Sequence, residues 1–209
     1  MTRFEDMTLA AFGDALASKE ATPGGGCASA LAGALAAGLV AMVARTTTGK
    51  RFADRAEEME AVAAEADGLR ADLLSLVDQD ADAFDRVMDA FRLPKGTPED
   101  EEARSAAVQA AYRGATGPPL AVCRHSVRVL ELAAEVAERG NRNAISDAGV
   151  AALLAATALE GGALNTTVNV VSIDDQAFRS ACESEVGQIQ VRGRALLERV
   201  QAAVRANLS

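Results

Sequence analysis

The sequence predicts an all-α protein: a single-domain bundle of seven or eight helices with one very long helix. Three observations lead there. Ala, Glu, Arg and Leu are frequent, and these residues lose little rotamer freedom in a helix. Tryptophan is absent and aromatics make up 3% of the 209 residues, so the helices must pack closely through small side chains. Long stretches repeat apolar residues at helical spacing, and the breaks between them fall at Pro and Gly clusters. A hydrophobic content of 49% fills one core, and residues 1–209 read as one domain.

The first ten residues, "MTRFEDMTLA", mix Arg, Glu and Asp and lack the basic and apolar regions of a secretion signal. A first helix is expected over about 5–18. The turn "ATPGGG" leads into a second helix over about 27–47. Residues 27–44 carry no charge and reach the length of a minimal membrane span. Ten of them are Ala or Gly, so the drive into lipid is weak; the expectation is a buried helix and no membrane partner. Gly26, Ala30, Ala34 and Gly38 lie four residues apart on one ridge, which lets another backbone approach closely.

A third helix is expected over about 51–91. Its heptad seam runs Met59, Ala66, Leu73, Asp80, Val87 at one position and Val62, Leu69, Leu76, Ala83, Ala90 at the other. Nine of the ten are apolar, and Asp80 is the exception. The acids Asp54, Glu57, Glu58 and Glu65 read as a solvated face. "RLPKGTPED" ends this helix, and Pro98 with the acids after it starts a fourth. "GATGPP" breaks again and opens a fifth helix to about 139. "RGNRNAISD" is a loop in which Ser146 or Asp147 caps a helix over about 147–163. That helix continues to about 170 past a weak point at Gly161–Gly162, and a last helix covers about 174–206.

The net charge is −9 with no Lys/Arg run, which argues against a nucleic-acid partner. Cys27, Cys123 and Cys182 are odd in number and widely spaced, so they read as buried thiols in a reducing cytosol. With His125 the single histidine, soft metal sites have too few ligands. A Ser-His-Asp or Cys-His mechanism would have to use His125, beside Arg124 on a helix.

Asp80 is the leading candidate for chemistry. An ionised carboxylate on a buried seam is costly unless paired or hydrogen-bonded. Three readings remain open: an Asp satisfied by a neighbouring helix's Arg or backbone donor, an Asp wetted where the bundle ends, or a proton-transfer group whose pKa burial has raised. Asp78 and Asp82 point away from the seam and read as exposed acids. "TPGGGCAS" places Gly24, Gly25 and Gly26 at a helix start, which suits an anion or a flat ring lying on the backbone, or a plain turn. Arg92 and Lys95 follow the third helix about three turns beyond Asp80, either lining the same cleft or simply solvated. Asn141, Asn143, Ser146 and Asp147 crowd one loop, more polar groups than capping needs. Asn165 and Asn169 sit one turn apart in an apolar stretch, suited to a heteroaromatic ring edge or to tying helices together.

Read in order, "PGGGCASALAGALAAGLVAMV", "LVDQDADAF", "RLPKGTPE", "GNRNAISDAGVAA" and "NTTVN" followed by "IDDQAF" resemble the folate cyclodeaminase/cyclohydrolase family over about residues 5–205. That family includes stand-alone methenyltetrahydrofolate cyclohydrolases and the cyclodeaminase domain of formiminotransferase-cyclodeaminases. The resemblance implies a cytoplasmic all-helical homodimer with a tetrahydrofolate substrate and no metal or redox cofactor. The family's catalytic aspartate, the second acid of a Val-Asp-x-Asp segment, falls on Asp80. The resemblance also assigns pterin contacts to Gly24–Gly26, Asn143, Asp147 and Asn169, with Asn141, Ser146 and Asn165 beside them, and glutamate contacts to Lys95 and Arg92. Cys27 stands where Ser is common in the family, with little consequence expected. The chain shows no formiminotransferase segment, so cyclohydrolysis of 5,10-methenyltetrahydrofolate to 10-formyltetrahydrofolate is expected. The alternatives are cyclodeamination of 5-formiminotetrahydrofolate with release of ammonia, and a non-catalytic folate-binding protein.

Overall fold

The computed structural model describes residues 3–208; Met1, Thr2 and Ser209, the ends of the expected domain and the first two residues of the signal-peptide reading, lie outside. The chain is 87% helical, with no strand among the described residues. In chain order the helices are α1 (Leu9–Leu16), α2 (Gly25–Thr46), α3 (Ala56–Arg92), α4 (Pro98–Ala115), α5 (Gly117–Arg139), α6 (Ile145–Val171) and α7 (Gln176–Leu208). Short 3-10 turns cover Phe4–Asp6, Lys50–Arg55 and Arg142–Ala144.

The centre of the bundle is α2. It runs antiparallel to α3, with Gly26 against Asp80, Gly33 against Leu73 and Gly38 against Arg70. Helices α5 and α6 cover its remaining sides. Both α2 and the segment Arg142–Val171 are long and apolar enough to cross a membrane. Here they build the core instead: Ala36, Ala37, Val40 and Val43 of α2 and Ala148, Ala151, Ala152 and Ala155 of α6 are fully enclosed. Small side chains make this possible, because they let helix axes approach without leaving voids.

All nine apolar seam residues of α3 are buried. The seam changes partner along its length. Up to Ala81 it belongs to the main core with α2 and α5, whereas Ala83 and Val87 pack against Ala115 of α4 in a separate cluster. Asp80 sits at the changeover, level with the first turn of α2.

Several local expectations are corrected. The first helix is divided: Phe4–Asp6 is a 3-10 turn, and Thr8 then caps α1 through its side chain. The divider is Asp78, which is buried rather than exposed. Its carboxylate accepts the backbone N–H of Phe4 at 2.8 Å and of Glu5 at 3.2 Å, with Arg3 Nε at 3.5 Å. It does point away from the α2 seam, but the N-terminal segment folds over it. Asp78→Ala should therefore release residues 3–7 and cost about 1–3 kcal/mol, because two part-buried donors lose their acceptor. Faster hydrogen exchange at Phe4 and Glu5, with a lower urea midpoint, is the expected result.

Helix α6 starts at Ile145, out of the 3-10 turn, so Ser146 and Asp147 lie inside its first turn. The cap position is Ala144, without a side-chain bond. Asn141 caps the 3-10 turn instead, accepting the N–H of Asn143. The acidic face of α3 is partly paired: Glu58 with Arg139 and Glu65 with Arg128, while Asp54 pairs with Arg55. Exposed pairs of this kind contribute little each.

Gly161–Gly162 does not interrupt α6. Both glycines are points of close approach: a Cβ at Gly161 would overlap Ser29 Oγ, and one at Gly162 would lie 2.8 Å from the Pro119 carbonyl oxygen and 2.9 Å from Cys123 Sγ. The Pro119 backbone cannot step aside. Gly162→Ala should destabilise the fold by about 1–3 kcal/mol through overpacking, despite the better helix propensity of Ala. Thermal denaturation reads this directly as a lower Tm.

Candidate active site

The N-terminus of α2 is glycine-rich for a geometric reason. Gly24 is the N-cap and supplies no side-chain cap bond, so first-turn N–H groups remain available. Against this turn lies the Asp80 carboxylate. A Cβ on Gly26 would overlap both carboxylate oxygens and stand 2.5 Å from Cγ. Only glycine leaves room for the carboxylate to rest on the α2 backbone. Cys27, the next residue, directs its thiol at Val77 O (3.3 Å) and Asp80 Oδ2 (3.5 Å).

Asp80 has no cation within ion-pair distance among the described residues. It is neither fully enclosed nor exposed, so solvent or substrate can reach it. Burial pushes its carboxyl above the usual carboxylate range, opposed by the Cys27 thiol and the Cys27 backbone N–H. No arginine pairs with Asp80 among the described residues, but the neighbouring helix α2 does supply a backbone donor, the Cys27 N–H. Burial also pushes the Cys27 thiol up to about 12, so at neutral pH it is a hydrogen-bond donor and not a nucleophile. Cys123 is likewise pushed up to about 12, and all three cysteines are free and buried.

Helix α6 brings Asn165 to the same place, its Nδ2 lying 3.6 Å from where a Gly25 Cβ would stand. The Asn165 amide donates to Gly161 O at 2.8 Å, and the Asn169 amide donates to Ala115 O at 2.7 Å. Each thus spends a donor on backbone and keeps a carbonyl oxygen to accept from a ring N–H. Gly24, Gly25, Gly26, Asp80 and Asn165 form one cluster, with Asn169 one turn further along α6.

The other candidates lie elsewhere in the chain. Asn141 joins the far ends of α2 and α5: its N–H donates to Thr47 Oγ1 at 2.9 Å and its amide to Thr46 O at 3.1 Å. Because α2 and α6 run antiparallel, Asn141, Asn143, Ser146 and Asp147 stand roughly 30 Å from Asp80 within one chain. Arg92 is exposed at the end of α3 and pairs with Asp89 at 2.7 Å, and Lys95 is exposed in the following loop. The largest concavity, about 590 Å³, is at the Asn141 end, lined by Arg45, Thr47, Thr48, Gly49, Met59 and Asp67. A groove of about 290 Å³ between α3 and the α4–α5 junction is lined by Leu76, Gln79, Asp82, Arg86, Gly117 and Pro118, and Asp80 lines neither concavity. The chemically unusual group is Asp80, and cavity size alone does not identify the site.

The sequence patterns found Asp80 and the three glycines, but not the contact of Cys27 with Asp80 or of Gly161 with Ser29. The available signal was slight: Cys27 follows Gly26 on one turn, and its partner is 53 residues away.

The Formiminotransferase-cyclodeaminase family model matches residues 8–188. This chain belongs to that family. Among relatives, it is 42% identical over 203 residues to the methenyltetrahydrofolate cyclohydrolase of Methylorubrum extorquens, covering 97% of this chain and 98% of that protein. It is 32% identical over 185 residues to the rat formimidoyltransferase-cyclodeaminase, where the match spans 88% of this chain but 34% of the relative. The crystal structure of formiminotetrahydrofolate cyclodeaminase from Thermotoga maritima superposes with a TM-score of 0.88 at 28% identity, covering 98% of this chain and 99% of that one. Family membership and the fold likeness extend over almost the whole chain.

Proposed function

We propose that this chain is a methenyltetrahydrofolate cyclohydrolase, converting 5,10-methenyltetrahydrofolate and water to 10-formyltetrahydrofolate. The observation that carries the reading is the unpaired, half-buried Asp80 on the α2 N-terminus, in a chain that matches a cyclohydrolase over nearly its full length. The substrate is a delocalised amidinium cation, already electrophilic at its bridging carbon, so the reading calls for no metal or redox cofactor. Water adds to that carbon while Asp80 takes one of its protons. Collapse of the resulting carbinolamine forms the formyl C=O and breaks the bond to N5. N5 receives one proton through Asp80, and the second proton of the water leaves to solvent. The Asp80 charge also favours the cationic substrate and the polarised transition state.

In this reading Gly24–Gly26, Asn165 and Asn169 hold the pterin edge next to Asp80. Lys95 and Arg92 meet the glutamate carboxylates. Asn141, Asn143, Ser146 and Asp147 supply pterin contacts only if a second copy or a chain movement brings them near Asp80. Free, buried thiols fit a cytoplasmic setting.

A homodimer is part of the proposal. The uncovered face of α6 carries Val150, Leu153, Leu164, Val168 and Val171. The stripe is self-complementary: in an antiparallel pair about a two-fold axis, Val150 faces Val171, Leu153 faces Val168 and Thr157 faces Leu164. Light scattering of the purified protein at twice the chain mass of 21.5 kDa supports this, and a monomeric mass refutes it.

Cyclodeamination of 5-formiminotetrahydrofolate is the second reading. It is favoured by the T. maritima relative, whose chain matches over almost its whole length, so chain length does not separate the two activities. The same acid-base group would serve. The decisive assay follows methenyltetrahydrofolate absorbance and ammonia release in parallel. Accelerated decay of the first without the second establishes the cyclohydrolase; ammonia from the formimino substrate establishes the cyclodeaminase. Folate binding with neither turnover leaves the binding-protein reading.

A further inference from the structure

We propose that Cys27 is a positioning residue for Asp80: its thiol ties Oδ2 of the carboxylate to the α2 N-terminus and leaves Oδ1 as the oxygen that exchanges protons with substrate. The inference deepens the reading of Asp80 as the acid-base group and rests on it only for its catalytic consequence.

Four observations carry it. The thiol lies 3.5 Å from Oδ2 and 3.3 Å from Val77 O, one turn before Asp80 on the same helix. Oδ1 has no side-chain donor among the described residues. Gly26 places no side chain between the carboxylate and the α2 backbone, so the carboxylate is held by shape on one side, by the thiol on Oδ2 and by the Cys27 backbone N–H. Cys27 itself is fully enclosed, which fixes its direction and keeps it from solvent oxidants. Any thiol proton is shared between Val77 O and Oδ2, so the hold on the carboxylate is adjustable during proton transfer.

Among the described residues no other titratable group competes for this role. From α2, Cys27 is the one that faces Asp80. On α3, Asp78 is turned toward the N-terminal segment and Asp82 toward solvent. From α6 the neutral amide of Asn165 lies beside Gly25. The thiol favours the ionised form of Asp80, opposing the desolvation that disfavours it. Removing it therefore lets Asp80 keep its proton to higher pH. A serine restores a donor on a shorter bond.

The test compares wild type, Cys27→Ala and Cys27→Ser by two independent measurements: the 13C carboxyl titration of Asp80, assigned by its loss in Asp80→Asn, and the pH profile of kcat/KM. In Cys27→Ala the carboxyl titration and the acidic limb of kcat/KM should both move to higher pH. At a given pH on the acidic limb kcat/KM should fall roughly three- to tenfold, and it should recover toward the wild-type value at the alkaline plateau. Cys27→Ser should bring both curves back to or below wild type. A titration in Cys27→Ala that superposes on wild type overturns the proposal and leaves Cys27 as core filler. A titration that moves while kcat/KM does not follow upholds the tie to Asp80 and overturns instead the acid-base assignment of Asp80.

Discussion

Asp80→Asn should lower turnover by about 10²- to 10⁴-fold, the usual worth of a positioned general acid-base group. It should do so without loss of fold, and with a gain in stability at alkaline pH. The sign follows from linkage. Below the unfolded pKa of an aspartate, Asp80 is protonated in both states and contributes nothing. Its folded pKa is raised by burial, so above it the native protein carries a desolvated charge that the unfolded chain holds in water. The amide has no such charge to desolvate. Melting temperatures of wild type and variant should therefore coincide near pH 3, and the variant should melt higher at pH 8. An activity loss together with a raised Tm is the signature of a site strained for function. Near-normal turnover would remove Asp80 from the chemistry.

Gly26→Ala should come close to the same catalytic loss with no change to the carboxylate itself. The new methyl group would occupy the space of the Asp80 carboxyl, which must then rotate out of its seat. A displacement of an ångström at a reacting group costs on the order of 10²-fold in rate. The fold should tolerate the change, because up to about 1 kcal/mol of helix propensity offsets part of the overpacking. Gly38→Ala is the matched control. It belongs to the same four-residue row, but its nearest neighbour is the Arg70 Cδ at 3.6 Å, an ordinary contact. Steady-state rates should separate the two: Gly38→Ala active, Gly26→Ala not. Equal activity of both would mean that the row serves only helix packing.

The row shows how far sequence patterns reach. Gly26, Ala30, Ala34 and Gly38 were legible as a ridge of close approach, and three of them are buried. That one of the four makes room for a carboxylate was not legible, because periodicity describes the face of a helix and not what arrives there. Asp78 shows the same limit from the other side. Two residues from Asp80 and off the seam, it read as an exposed acid, yet a 3-10 turn 73 residues away in sequence covers it. The far candidates, Asn141 to Asp147, were readable as a polar cluster. Their place at the opposite end of α2 follows only from the antiparallel course of α2 and α6.

Spacing within single segments is enough for the helices, the long seam of α3 and the one carboxylate that breaks it. That α2 begins at the level of Asp80 emerges only when the helices pack. The seam changes partner there, and the carboxylate rests on Gly26 beside the Cys27 thiol with no arginine opposite. Those contacts join residues more than 50 positions apart and depend on where three helices start and cross. Close packing settles such matters only when every helix is in place.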